Sequence, residues 1–409
     1  MKTYGKTLRR MFNANLIRLA AIGMIIAIGI GVATGIATLP LQIRDSLASA
    51  SFGPEQTALV NEVADKVELL GFIFPVFFIA VSALTALTTM TRLVEEERPV
   101  AACLKTLGYS DASIIFRHII FAAVCSAAGC LLGLIAGNFL LRPIIFNAIK
   151  TKFDLLDTDK IFYVREGLMW SVAMGAATIL TAFYVSWQKC RERPSALLRP
   201  KSPKAGKKIF LEYLPFIWKR LKFKLKSSVR NIWRDKSRLI MTVLSVAGST
   251  IIVFCGLGLF SSLNGMEEGV HDITAFIDSM KIISIAVIFC AVALTVLVLF
   301  NLTNINIEER KREIATLKVL GYSQFEVSYY IYREVMILSV LGIILGVPAG
   351  WFFLGFMFDY LDFGSLDFVE WYVWILSAVV ILLAVITTDG LLYRKIYKIE
   401  MCSSLKTVE

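Results

Sequence analysis

Residues 309–326 read ERKREIATLKVLGYSQFE, and residues 96–113 read EERPVAACLKTLGYSDAS. Both stretches follow one apolar run and precede another. An offset of 213 positions brings Glu95, Glu96, Ala102, Leu104, Lys105, Leu107, Gly108, Tyr109 and Ser110 onto Glu308, Glu309, Ala315, Leu317, Lys318, Leu320, Gly321, Tyr322 and Ser323, nine identities in 16 positions. Whatever this element does, the chain carries it twice, about half its length apart.

Local chemistry predicts the shape of the element. Residues 308–313 are good helix formers, and Ile314, Leu317 and Leu320 recur every three residues on what is expected to be one face. Glu309 and Glu313 stand four apart, with Lys311, Arg312 and Lys318 as available charge partners, and Glu96 takes the corresponding place in the first copy. Gly321 suits a left-handed cap at the end of that helix. Ser323 with Glu326 forms a capping box for the next one. Gly108 and Ser110 repeat the break and the cap, although Ser113 stands where Glu326 does, so the first box lacks its acid. Each copy is therefore expected to be a rigid elbow: a helix leaves one apolar segment, stops, turns and re-enters the next. A plain tight loop would also carry turn residues and positive charge. It would not need the same Leu-Lys-x-Leu-Gly-Tyr-Ser in both halves. The elbow residues Lys105, Leu107, Gly108, Tyr109, Ser110, Lys318, Leu320, Gly321, Tyr322 and Ser323 are thus the candidates for gripping a partner, with Glu96, Glu309 and Glu313 as charges that stiffen the stalks.

The surroundings of the elbows are membrane. Hydrophobic residues make up 57% of the 409 residues, well above an ordinary soluble domain. Crossing a bilayer takes roughly 20 apolar residues. Eight stretches qualify: 19–39, 70–90, 119–141, 168–187, 239–259, 282–302, 335–356 and 373–392. Backbone groups in hydrocarbon must be bonded within the segment, so the spans are expected to be helices and the fold all-α and polytopic. The first run lacks a small-x-small cleavage site and reads as a retained span. Of the 43 Lys and Arg, 35 fall on the side that carries both termini and both elbows, and 8 on the other. The positive-inside rule then puts termini and elbows in the cytosol, with short loops outside. The net charge of +11 follows from this topology and does not indicate nucleic acid.

The repeat extends beyond the elbows. Gly129, Gly133 and Gly137 fall on Gly342, Gly346 and Gly350 at the same offset of 213. Small residues every four positions let helices approach closely. The chain divides into a first four-span half (1–200), a basic amphipathic linker (201–228) and a second four-span half (229–409). Four is even, so the halves share one orientation and are related about the membrane normal. The linker FLEYLPFIWKRLKFKLK and the N-terminal GKTLRRMFNANLIR are expected to lie in the inner headgroup layer against anionic lipid.

Catalytic signatures are missing. Residues 205–208, AGKK, lack the upstream glycine and the Ser/Thr of a phosphate-binding loop. His118 and His271 fall on opposite sides of the expected membrane, so they cannot share a metal. The seven cysteines show no CxxC spacing and none lies in an outer loop. Asp389, the lone acid inside the spans, is expected to reach the interface or find a partner there.

The motif E-I-A-x-L-K-x-L-G-Y-S at 313–323, following a span, resembles the signature of the FtsX/MacB-like permeases, the type VII ABC transporters. The first copy departs from it at Pro99-Val100, where the second has Arg312-Glu313. The resemblance implies that each elbow is a coupling helix docking on a separate ABC ATPase, acting as a homodimer. ATP and magnesium would reside in that partner, with no cofactor in this chain. It implies a multi-pass protein of a bacterial cytoplasmic membrane, in contact with lipid and with room for a small outer protein. The large outer domain common in the family has no counterpart among these short loops. The work done is expected to be export or extraction of a lipid-like or amphipathic molecule, or transmission of force across the membrane. An ion-coupled secondary transporter and an ATPase-independent scaffold or sensor are the alternatives.

Overall fold

In the computed structural model, the chain is described over residues 2–49, 53–153, 163–192, 236–267 and 274–397, with Lys226, Arg230 and Trp233 in between. The linker 201–228, apart from Lys226, and His271 lie outside the described residues. All eight expected spans are helices. In the first half α1 (Lys2–Ala14) leads into α2 (Leu16–Ala37), followed by α3 (Leu39–Ser49), α4 (Pro54–Glu96), α5 (Arg98–Thr106), α6 (Asp111–Ala136), α7 (Arg142–Phe153) and α8 (Val164–Cys190). The second half comprises α9 (Lys236–Glu267), α10 (Thr274–Glu309), α11 (Lys311–Val319), α12 (Gln324–Leu361) and α13 (Tyr372–Tyr397). Spans one to four are thus α2, α4, α6 and α8 in one half and α9, α10, α12 and α13 in the other. The short helices α5 and α11 occupy the two elbows.

Several helices are longer than a bilayer is thick. At about 1.5 Å per residue the 43 residues of α4 span roughly 64 Å, about twice the hydrocarbon depth. The segment expected as a loop at 40–69 is instead α3 and the first turns of α4. With α7 these pack into a small helical cap at the end opposite the elbows, around Ile43, Val60, Val63, Val67, Ile145 and Ile149. The apolar positions of 40–69 recur at helical spacing, and pairing with α7 gives them something to cover.

Both glycine rows lie against a neighbouring span. A Cβ at Gly129 would come within 2.6 Å of the Gly23 carbonyl, and one at Gly133 within 2.7 Å of the Ala27 carbonyl. A Cβ at Gly137 would collide with Thr34. In the second half Gly342 faces Val246, Gly346 faces Ala247 and Thr250, and Gly350 faces Phe254. Spans one and three of each half are therefore fused backbone to backbone. Between halves, α2 packs on α10 and α9 on α4, so each first span lies against the second span of the other half. Asn301 donates to the Thr89 hydroxyl at 2.7 Å across this seam. At the far end Lys66 of α4 donates to the Leu361 carbonyl of α12 at 2.6 Å, and Lys152 pairs with Asp278 at 2.6 Å.

Asp389 is buried, and its Oδ1 has no hydrogen-bond partner among the described residues. His118 is buried beside Arg117. Six cysteines are free among the described residues.

Gly133→Leu and Gly346→Leu must push α2 from α6 and α9 from α12, an overpacking cost of about 1–3 kcal/mol. The purified variants should melt several degrees below the parent in a thermal scan. An unchanged midpoint would mean these helices are not fused at the glycines.

Candidate coupling surface

Both elbows are built by the same hydrogen bonds. In the first, the Gly108 N–H donates to the Lys105 carbonyl at 3.0 Å and the Tyr109 N–H to the Leu104 carbonyl at 3.1 Å. In the second, Gly321 donates to Lys318 at 3.1 Å and Tyr322 to Leu317 at 3.2 Å. These are paired Schellman bonds, and they satisfy the last carbonyls of α5 and α11. Gly108 and Gly321 both sit at φ +87°, with nothing within 4 Å of an added Cβ. Glycine is favoured there by backbone conformation alone. Ser110 then caps α6 by accepting from the Ser113 N–H at 3.3 Å. Ser323 caps α12 by accepting from Glu326 at 3.3 Å, while Glu326 accepts the Ser323 N–H at 3.1 Å. Only the second cap is a full box, as its sequence predicts. Pro99 falls in the first turn of α5, where its missing N–H costs nothing, so the departure from the second copy leaves the shape intact.

The elbows are separate helices, not continuations of the spans. The chain breaks at Glu97 and Arg310, so Glu309 belongs to α10 and Glu313 to α11. Each break carries an ion pair to span three, fully buried in the second half and partly buried in the first. Glu97 takes Arg117 of α6, and Arg310 takes Glu334 of α12. Glu97 and Arg310 are equivalent under the repeat, yet the sign of the pair is reversed. Burial alone would lower the Arg310 guanidinium, but the Glu334 carboxylate outweighs it and raises it above the ordinary arginine range.

Glu96 and Glu309 pair with arginines far away in the sequence. Glu96 is gripped by both terminal nitrogens of Arg18 at 2.7 Å, and Arg18, only 2% exposed, also bonds Glu308 of the other half. Glu309 pairs with Arg92 of the other half at 2.7 Å. Lys395 bonds Glu308 at 2.6 Å. Glu313 is exposed, near Arg310. Charges from α2, α4, α10 and α13 thus tie both halves together at the elbow end.

The ten elbow residues divide by direction. Leu107 and Leu320 are 71% and 69% exposed, at the tips. Leu320 therefore leaves the face of Ile314 and Leu317, because the Schellman turn rotates it outward after α11 ends. Tyr322 is exposed and Tyr109 half-buried; Val319, Phe325 and Tyr329 widen the apolar tip of the second elbow. Lys105 and Lys318 point the other way. Lys318 is 7% exposed and donates to the Ile396 and Tyr397 carbonyls at 2.9 and 3.3 Å. Lys105 donates to the Cys190 carbonyl and pairs with Asp111 at 2.8 Å. Burial pushes the Lys318 ammonium below the usual lysine range. Both ammonium groups are directed at the end of span four. Arg18, Arg92, Arg117 and Glu334 were not singled out by sequence. The reversed sign of the junction pair hides it from any search for identities, and Arg18 lies outside the elbow.

Among the described residues no cluster of His, Cys, Asp or Glu could hold a metal. No curated protein and no solved structure matches the chain. The family model for the FtsX-like permease C-terminal domain matches residues 72–192 and 285–401, each covering spans two to four with the elbow between them. Together the two matches take in more than half of the sequence, so the chain belongs to the FtsX-like permease family.

Proposed function

We propose that this protein is the membrane subunit of an ABC transporter, driven by a separate ATPase that grips the two elbows. The observation that carries this reading is the pair of exposed leucines, Leu107 and Leu320. They stand at the tips of two turns of identical backbone construction, both at one end of the bundle. An exposed leucine held on a rigid turn fits an apolar groove on a partner, and two such tips fit a homodimer. The chain's own sequence offers no phosphate-binding loop, so ATP and magnesium belong to that partner and this subunit catalyses nothing by itself.

The basic asymmetry of the loops supports elbows and termini in the cytosol of a bacterial inner membrane. The described outer segments are a small helical cap with no large folded domain, which supports a substrate taken from the bilayer: a lipid-like or amphipathic molecule, exported or extracted. The same cap favours a second reading. Its helices are continuous with spans one, two and three, so a small outer protein resting on it would feel their movement as force. An ion-coupled transporter is less well supported, since Asp389 is the one acid in the interior of the expected spans.

Co-expression with a candidate partner ABC ATPase tests the assignment directly. Gly321→Val forces a β-branched residue into a left-handed backbone, costing at least about 1–2 kcal/mol locally. It should abolish stimulation of the partner's ATP hydrolysis while membrane insertion persists; Gly321→Asn, which tolerates φ > 0, should retain most of it. Full stimulation in Gly321→Val would contradict the docking role.

The junction pair gives a second test. Removing one member of a buried pair costs about 3–5 kcal/mol. Arg310→Glu and Glu334→Arg should therefore each lower the melting midpoint and the stimulation. The double exchange, which copies the polarity of Glu97 and Arg117, should recover much of both. A double variant no better than either single one would show that the two residues do not act as a pair.

A further inference from the structure

In a helical bundle a force applied to one connection moves the two helices it joins. The elbows here join spans two and three, and nothing in the chain's connectivity attaches span four. Contacts supply the attachment, in both halves and by the same means. A helix ends with unpaired carbonyls and a partial negative charge. In the last described turn of α13 the Ile396 and Tyr397 carbonyls accept from the Lys318 ammonium at 2.9 and 3.3 Å. At the end of α8 the Cys190 and Glu192 carbonyls accept from Lys105, the latter at 3.4 Å. Apolar contact backs each lysine: Leu392 and Ile396 with Ile314, Val327 and Ile331 in one half, Cys190 with Leu104 and Ile114 in the other. The first half adds an ion pair between Arg98 and Glu192.

We propose that Lys105 and Lys318 are positioning residues that clasp the end of span four to the elbow, so that each elbow moves spans two, three and four as one body. The clasp explains why a lysine stands at the same place in both copies although it faces away from any partner. It also explains why that place is a lysine: a four-carbon stem reaches along the apolar contact, and an ammonium has three donors for a fan of carbonyls. The mechanical consequence rests on the docking of an ATPase at the tips. The clasp itself does not, and it can be measured on the full chain in membranes with no ATPase present.

Two native thiols provide the readout. Cys190 is 6% exposed beneath the first clasp, whereas Cys103 is exposed on the same elbow. Alkylation by N-ethylmaleimide, followed peptide by peptide, should accelerate at Cys190 by about tenfold or more in Lys105→Met as the span end opens locally. Cys103 should react at its original rate. Loss of a nearby positive charge disfavours a thiolate, so acceleration reports opening and not charge. Lys105→Arg, which keeps a cationic donor, should restore protection. In the other half, Ile396→Cys should be protected in the parent background and exposed by Lys318→Met. Unchanged Cys190 reactivity in Lys105→Met, or equal reactivity in the Arg and Met variants, would overturn the clasp. An unprotected Ile396→Cys beside an intact Lys318 would do the same for the second half.

Discussion

The structure depends on a turn of one residue. At Gly108 and Gly321 a helix ends, φ becomes +87° and the next helix is capped two residues later. Only there can the chain come out of the membrane, reverse and return without a loop long enough to bend. A left-handed residue with a side chain would strain this turn, and a longer connection would dissipate motion as loop fluctuation. Because the Schellman bonds and the serine cap leave few backbone groups unpaired, the elbow holds its shape without help from its tip. The tip is therefore available to a partner.

Stiffness is then carried inward by three different chemistries. Ion pairs fix each elbow's root to span three, and their opposite polarity in the two halves shows that geometry matters there and sign does not. Glycine rows bring spans three and one into backbone contact, so span three cannot turn without its neighbour. Arg18, gripping Glu96 on its own side and Glu308 on the other, ties the two halves where the elbows leave the bundle. Charge at this end is buried but paired, the one arrangement in which a guanidinium can remain inside a bundle without large penalty. Rocking the halves against each other has to rearrange this network, along with the lysine links at the far end.

Much of this was readable from the residues, and for local reasons. Spans, elbows, caps and glycine contacts depend on neighbours three or four positions away, and those leave a periodic trace. The full box at Ser323 and the partial one at Ser110 were both legible on these grounds. What escaped depends on partners far along the chain. Arg18 lies 290 positions from Glu308, and nothing near either residue announces the other. The helix break at Arg310 was hidden because its neighbours all favour helix; Glu334, twenty-four residues on, draws the guanidinium inward. Lys105 and Lys318 were read as outward-facing because charged residues on a short exposed helix usually are. Their burial follows from the end of span four, which sequence alone does not place beside them. The outer cap was taken for loop because no apolar run there is long enough to span, although its spacing is helical.

The central claim is that the elbow tips meet an ATPase. A photo-activatable side chain placed at Leu320 in cells, with a second at the lipid-exposed Leu131 as reference, tests it most directly. The account predicts an adduct between position 320 and an ATP-binding subunit, absent at position 131. Adducts of position 320 with lipid alone, or its labelling from outside the cell by an impermeant reagent, would contradict it.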